Sequence, residues 1–298
     1  MARVGEIGRR GLTPKARVLV DGFGYAIAAF LAGVAAARGG KAVHPHGVVH
    51  EARLLLDGPR GAPLGSELFD TPAEHMAIMR FSRSLGLPRP VPDLLGVSLR
   101  VIDAYGSDRH QDVLMVSSID LPVLHHGFVP SSDVQQRPYS SSLPYRARGR
   151  KFLIGVVPDP ASPRPEGRDE FDRLARAATD GRLTFGLAIA PLSGRFRRIG
   201  TLQVGERLPD ALDALRFSPF TCGGGLEPVG LLNRLRDYAY PLSQAAWARR
   251  GDRAARQVDA DLALRRIVRQ RCPAVGESLP APALEHAENH QQHDRHER

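Results

Sequence analysis

The chain has 298 residues, of which 42% are hydrophobic and 24% charged, a composition typical of one large globular domain or two modest ones. Its net charge of +9 is strongly basic. However, the arginines are spread among acidic residues and no zinc finger, basic zipper or aromatic–basic motif is present, which argues against nucleic-acid binding. Cys222 and Cys272 are the only cysteines, too few for a disulfide framework or a cysteine metal site.

Residues 1–39 are predicted to form an N-terminal helical segment. Thr13-Pro14 fits a helix start, since proline is favoured at the first helical position, and Gly39-Gly40 fits its end. The apolar run 22–37 is shorter than the ~20 residues that a membrane-spanning helix needs. Glu6 lies among the basic residues and Asp21 near the start of the apolar stretch, which is a poor fit to a signal peptide. We therefore expect a cytoplasmic protein, with weak membrane association of this helix as the alternative.

Short apolar stretches separated by glycine- and proline-rich turns follow. Their spacing predicts an antiparallel sheet or barrel rather than alternating strands and helices. A short amphipathic helix is predicted at 169–179 and a long Arg/Ala-rich helix from Pro241 to about Gln270. Residues 129–150 lack a period and are predicted to be a long loop. The predicted strands are 42–56 with an interruption at Pro45 and Gly47, 77–82, 94–102, 113–118, 152–157, 183–191 and 200–204.

Three histidines in the first predicted strand raise the question of a metal site. His44, His46 and His50 would share one face of a strand, because side chains alternate with a period of two. A structural zinc site needs four ligands, and no fourth candidate is near in the sequence. We therefore favour surface or core histidines over metal coordination.

A tyrosine and an arginine near residue 240 form a candidate metal-ligand pair. Arg236 and Tyr240 are four residues apart on a predicted helix and are therefore neighbours. A guanidinium beside a phenol favours the phenolate, which is a known proximal ligand of haem iron. Arg234 and Tyr238 have the same spacing, so spacing alone does not choose between the two tyrosines. The alternative is an ordinary packed tyrosine beside a solvated arginine.

A series of segments, in chain order, resembles the haem-dependent catalase family, and in particular a minimal bacterial member of it. The resemblance extends over roughly residues 40–245. The segments are Val43–Gly47, Arg80–Ser82, Pro92–Val101, Gln111–Leu114, Pro122-Val123, Arg198–Leu202, Phe217–Pro219, Gly225–Pro228 and Arg236–Ser243.

The resemblance implies an α+β protein, an antiparallel β-barrel with peripheral helices that holds one haem b. It divides the chain into the N-terminal helical segment 1–39, a barrel domain with C-terminal helices at 40–271, and a polar tail at 272–298 that we expect to be disordered.

The resemblance also implies roles for individual residues. Tyr240, which is followed by the Pro-x-Ser typical of the family, would ligate the haem iron, with Arg236 lowering its pKa. His44 would be the distal acid/base and Ser82 would orient it. Two further cations, Lys41 and Arg80, would bind the haem propionates.

Several positions depart from the family pattern. The distal amide that the family places shortly before Pro122 is absent, and Ser118 or Asp120 is a candidate replacement. Lys41 replaces an arginine, and Gln244 and Trp247 stand where the family has His and Arg. A stacking aromatic is not evident, with Phe128 a weak candidate.

These features together predict a haem-dependent hydroperoxidase that reduces organic hydroperoxides or hydrogen peroxide with an unknown electron donor and has weak or no catalase activity. One alternative is a haem-dependent isomerase or dehydratase of fatty-acid hydroperoxides, or a biosynthetic oxygenase. The other is a binding module that has the fold without haem. We expect a homodimer or another homo-oligomer and no nucleic-acid partner.

Overall fold

A computed structural model of the chain describes residues 46–58, 61–122, 124–179, 181–229 and 252–271. The predicted N-terminal helical segment 1–39, the Arg236–Tyr240 motif and the tail 272–298 lie outside these ranges, and the proposed domain boundaries at 39 and 271 stay predictions.

Eight of the described strands close into an antiparallel barrel, which confirms the predicted fold class. Around the barrel the order is β7-β5-β4-β3-β2-β1-β9-β8, and pairing of β8 with β7 closes the ring. Two short strands, β6 and β10, extend the sheet beyond β7. The ten strands are β1 (His46–Leu56), β2 (Ala73–Arg83), β3 (Leu95–Val101), β4 (Gln111–Ser117), β5 (Tyr139–Ser140), β6 (Tyr145–Ala147), β7 (Arg150–Pro158), β8 (Leu183–Pro191), β9 (Arg197–Arg207) and β10 (Glu227–Pro228).

The described helices lie at the periphery. They are α1 (Glu67–Asp70), α2 (Glu170–Ala178) and α3 (Asp252–Arg271), with 3-10 turns at Leu124–His126 and Asp210–Ala214. The predicted helix at 169–179 is confirmed, because Asp169 caps α2 by accepting from the N–H groups of Phe171 and Asp172. Within the described residues, no helix is both long enough and apolar enough to cross a bilayer.

The interior of the barrel follows from the alternation of side chains along each strand. In β1 the even-numbered Ala52, Leu54 and Leu56 are buried in the main hydrophobic core, whereas Leu55 between them is 41% exposed. Closure removes the edges that an open sheet would expose, because every barrel strand has a partner on each side.

A second hydrophobic cluster lies on the outer surface of β1 and β2. Val49 and Ile78 point away from the interior and pack with Leu212 of the 3-10 turn and with Ala260 and Leu264 of α3. The outward face of these strands is therefore covered rather than solvated. Polar side chains on the same outward face, among them Arg80 and Ser82 of β2, are buried as well.

Two local predictions differ from the structure. Residues 129–150 were expected to form a loop, yet they contain β5 and β6. These strands have two and three residues, too short to show a period in the sequence. β1 was expected to be interrupted at Gly47, but within the described residues it runs without a break from His46, because Gly47 pairs with Ser82.

His50 is a core histidine, as the favoured interpretation of the histidine trio predicted. Its side chain is fully buried in the barrel, where Nδ1 donates to the carbonyl of Gly205 at 2.9 Å and the ring meets Phe81 edge-on at 6.1 Å. Nε2 has no hydrogen-bond partner among the described residues. His44 lies outside those residues, and no group of three metal-ligating side chains occurs within them.

Because burial lowers the pKa of His50, we expect the barrel to lose stability in mild acid. Below the ordinary histidine pKa of 6.5 the unfolded chain takes up a proton that the folded chain does not, and this continues down to the lowered folded pKa. The free energy of unfolding should therefore fall between about pH 7.5 and about pH 5, by up to about 1.4 kcal/mol per pH unit from this residue. Urea denaturation at both pH values measures it.

His50→Asn should reduce this pH dependence, because an amide can keep the bond to Gly205 without titrating. His75→Asn is the comparison: burial also lowers the pKa of His75, but this side chain on the neighbouring strand β2 is only half-buried, so its substitution should reduce the pH dependence less. If His50→Asn retains the full acid sensitivity of the wild type, His50 is not its source.

Candidate functional site

The structure places two of the six predicted site residues, and both lie on the outward face of β2. Arg80 and Ser82 are two residues apart, so their side chains emerge on the same side of the strand. Their relative exposures are only 3% and 1%. The remaining predicted site residues lie outside the described part of the chain; they are Lys41, His44, Arg236 and Tyr240.

Ser82 belongs to a row of small residues that crosses the outer face of four strands. Directly paired residues share a face of the sheet, and Ser82 pairs with Gly47 on one side and Gly96 on the other. Gly96 in turn pairs with Val116 of β4. This row, Gly47–Ser82–Gly96–Val116, is called the small-residue row. The Ser82 hydroxyl donates to the Gly96 carbonyl at 3.4 Å.

Arg80 reaches from β2 across to the start of β1. A Cβ at Gly47 would lie 2.8 Å from the Cζ of Arg80 and 2.7 Å from the Phe81 carbonyl oxygen. The guanidinium therefore occupies space that only a glycine leaves open. This contact brings a buried positive charge to the end of the small-residue row, next to the point where the described chain begins.

Arg80 is held by an acidic residue that belongs to none of the sequence motifs. Its Nε donates to Asp213 Oδ1 at 2.6 Å, and the Asp213 side chain is 30% exposed. The two residues are 133 positions apart in sequence. A contact over that separation depends on how the 3-10 turn Asp210–Ala214 docks on the barrel, and no local pattern indicates it.

A second ion pair fixes the chain that follows this turn. Arg100 donates from Nε and one terminal nitrogen to the two oxygens of Asp112, both at 2.7 Å, and from a terminal nitrogen to the Arg216 carbonyl at 2.6 Å. The N–H of Ser218 donates to Asp112 at 3.0 Å, and the guanidinium stacks on Phe217. The segment 216–218 is thereby held against β3 and β4, four residues along each strand from the small-residue row.

The two candidate replacements for the distal amide are both engaged elsewhere. The Ser118 hydroxyl is fully buried and donates towards the carbonyls of His125 and Gly127, which holds the Leu124–His126 turn. Asp120 accepts from the N–H of Phe196 at 3.0 Å, at the start of β9. The β4 residue in the small-residue row is instead the apolar Val116, which pairs with Ser140 of β5 on its other side.

Phe128 lies beside the end of β4. Its neighbours on both sides are bound there, Gly127 by the Ser118 hydroxyl and Val129 by the Ser117 carbonyl. The ring is 55% exposed. Its role as the stacking aromatic stays a prediction.

Cys222, the described cysteine, does not offer thiol chemistry. Burial, with Glu227 and Asp112 nearby, raises the pKa of its thiol to about 11. A peroxidatic or otherwise reactive cysteine needs a lowered pKa, because the thiolate is the nucleophile. Peroxide reduction by Cys222 is therefore disfavoured.

The described residues fit one wall and one edge of a bound haem. A flat macrocycle needs a wall of small side chains, which the small-residue row provides, and carboxylates at its edge need a cation, which Arg80 provides. The Nε of Arg80 is bonded to Asp213, whose carboxylate partly balances this charge. The candidate iron ligands, Tyr238 and Tyr240, lie outside the described residues.

Comparison with solved structures shows a catalase-like fold. A fungal catalase matches with a TM-score of 0.54 and 14% identity over 74% of this chain. Catalase A from Saccharomyces cerevisiae matches with a TM-score of 0.50 and 13% identity over 82% of this chain and 67% of its own. The match spans 61% of the length of the fungal catalase. No protein-family model matches the sequence, and a search of curated proteins finds no relative. At these identities the likeness shows the fold alone.

We expect Asp213→Asn to destabilise the protein by about 2 kcal/mol, because it removes a carboxylate from a buried guanidinium. The value lies below the range for a fully buried pair since Asp213 is 30% exposed. Chemical denaturation measures the change. Asp210→Asn is a matched control in the same turn: its side chain is 84% exposed and pairs with Arg207, and it should cost less than about 0.5 kcal/mol. Equal losses of stability in the two variants would show that the Arg80–Asp213 pair contributes no more than an exposed ion pair.

Proposed function

We propose that this chain is a haem-dependent hydroperoxidase of the catalase superfamily, which reduces organic hydroperoxides in preference to hydrogen peroxide. The observation that carries the proposal is the outward face of β1–β4, where Arg80 and Ser82 are buried beside the small-residue row of a catalase-like barrel. A buried cation and a row of small residues on one face form a wall suited to a flat ligand with anionic groups.

The proposed roles of the chain follow from this placement. Tyr240 would bind the iron as a phenolate, and Arg236 would favour that charged form by opposite charge. Arg80 and Lys41 would bind the propionates. When bound, haem would supply the ferric iron at which the peroxide O–O bond is cleaved, and an unknown electron donor would return the two electrons that the reduction consumes.

His44 would move the proton. It precedes β1 by one residue, Pro45, and the described part of β1 opens opposite Arg83 and Ser82. We propose that the imidazole takes a proton from the inner peroxide oxygen and returns it to the outer one, which leaves as water or an alcohol. Ser82 would orient this imidazole as a positioning residue.

The preference for organic substrates rests on Val116. Where an amide would donate a hydrogen bond to a small polar peroxide, this valine offers only apolar contact. Leu114, two residues earlier on the same strand, also points outward and extends the apolar surface. An alkyl group gains from that surface, whereas hydrogen peroxide gains nothing. The same surface suits an isomerase or dehydratase of lipid hydroperoxides, which forms product without consuming an electron donor.

Haem reconstitution of the full-length protein tests the proposal. We expect a Soret band, with about one haem bound per chain, and the visible spectrum of a ferric phenolate. Tyr240→Phe should abolish the phenolate spectrum, and Tyr238→Phe, the matched control two residues away, should leave it unchanged. If the wild type shows no Soret band after reconstitution, the chain is a binding module and both enzymatic functions fail. Loss of the phenolate spectrum in Tyr238→Phe alone would move the ligand by two residues.

Val116→Asn should shift the substrate preference towards hydrogen peroxide. An amide at this position adds a hydrogen-bond donor, and one such bond corresponds to roughly a tenfold change in rate. We expect the ratio of kcat/KM for hydrogen peroxide to that for cumene hydroperoxide to rise about tenfold. Val116→Ala is the control: it removes apolar bulk without adding a donor, so activity with cumene hydroperoxide should fall without a gain for hydrogen peroxide. An unchanged ratio in Val116→Asn would show that Val116 does not set the substrate preference.

A further inference from the structure

A cavity of about 210 Å³ lies outside the barrel wall over β7 and β8. Its floor exists because the outward-facing residues of β8 there have little or no side chain. Gly186 and Ala188 of β8 line it, and Ala188 pairs with Gly155 of β7. The ring of Phe196 lies over Gly155, where a Cβ would be 2.6 Å from its Cζ, and it forms one wall. The cavity therefore offers a flat apolar floor and an aromatic side.

The polar side chains that line the cavity have more open hydrogen-bond acceptor sites than open donor groups. Asp120 and Asp159 both line it, and each uses Oδ1 to accept one backbone N–H at 3.0 Å, from Phe196 and Ala161 respectively. Asp159 Oδ2 forms an ion pair at 3.7 Å with a terminal nitrogen of Arg198, which also lines the cavity; the distance is too long for a hydrogen bond. Among the described residues, Asp120 Oδ2 has no hydrogen bond.

The nearby cations are already engaged. Arg198 donates from Nε to the Gly200 carbonyl at 3.1 Å and from a terminal nitrogen to the Thr201 hydroxyl. Arg195 donates to the backbone carbonyl of Asp120, not to its carboxylate. A carboxylate has about four acceptor sites, whereas the donors of a guanidinium point in fixed directions. The carboxylate acceptor sites that remain open in the cavity therefore favour a positively charged hydrogen-bond donor.

We propose that this cavity binds a small organic cation in which an ammonium group is attached to a flat apolar body. The ammonium group binds between Asp120 and Asp159, and the apolar body lies on Gly186 and Ala188 against the ring of Phe196. An anion of the same size would face two carboxylates and only one guanidinium, that of Arg198, which is already paired with Asp159. The site is separate from the outward face of β1–β4, and the inference does not depend on haem binding.

Calorimetric titration of the full-length protein with 2-phenylethylamine tests the proposal. A ligand of this size is expected to bind with a Kd on the order of 1 mM. Phenylacetate, an anion of similar size and shape, should bind at least about tenfold more weakly, since like charges in a cleft cost affinity.

Two variants should weaken the amine selectively. Asp159→Asn removes one charge and should raise the Kd about fivefold or more. Ala188→Leu fills the floor and should abolish binding, with its thermal midpoint checked for folding. Asp108→Asn is the matched control, because it makes the same charge change at a residue whose side chain is 62% exposed and pairs with Arg265. It should leave the Kd unchanged.

The outcomes are decisive in both directions. Binding of phenylacetate as tightly as the amine would overturn the charge assignment. Amine binding that persists in both Asp159→Asn and a folded Ala188→Leu would place the ligand elsewhere, and no measurable binding of the amine would reject the site.

Discussion

The register of the closed barrel is the constraint on which the rest of the structure depends. Eight strands meet edge to edge, and pairing of β7 with β8 leaves no strand free to slide. Because side chains alternate, a slip of one residue in β2 would turn Arg80 and Ser82 into the apolar interior and Phe81 out of it. The cost of burying an unpaired guanidinium among leucines makes that register untenable. Closure therefore decides which residues can belong to the outer site.

The outer face of β1–β4 functions as a second core rather than a surface. Apolar contacts from α3 and the 3-10 turn Asp210–Ala214 cover one part of it, and two ion pairs hold the cover in place. The Arg80–Asp213 pair joins two segments more than a hundred residues apart in sequence. The Arg100–Asp112 pair joins neighbouring strands, and Asp112 in turn accepts from the backbone N–H of the distant Ser218. A face that is buried but partly polar is suited to hold a ligand, since its charges are prearranged and shielded from water.

The two sides of the barrel differ in chemistry. Over β1–β4 a buried cation adjoins a row of small residues, which suits a flat ligand with anionic groups. Over β7 and β8 the glycines and Ala188 leave a cavity with spare carboxylate acceptors, which suits a cation. Both features arise from small residues on outward-facing positions, where a larger side chain would fill the space. The chain as a whole is basic, so the suitability of the β7–β8 cavity for a cation depends on its local hydrogen-bond donors and acceptors rather than on net charge.

Much of this architecture was predictable from the chain alone. Period-two alternation and turn residues located the longer strands, and Asp169 marked the start of α2, because these signals are local. The ordered motifs predicted the antiparallel barrel and placed Arg80 and Ser82 together. Local patterns could not reveal β5 and β6, which are too short to show a period. They also could not show that Ser118 and Asp120 are engaged elsewhere, that Val116 completes the row with Ser82, or that Asp213 holds Arg80. Those facts depend on contacts between strands and turns distant in sequence, and only the closed tertiary structure decides them.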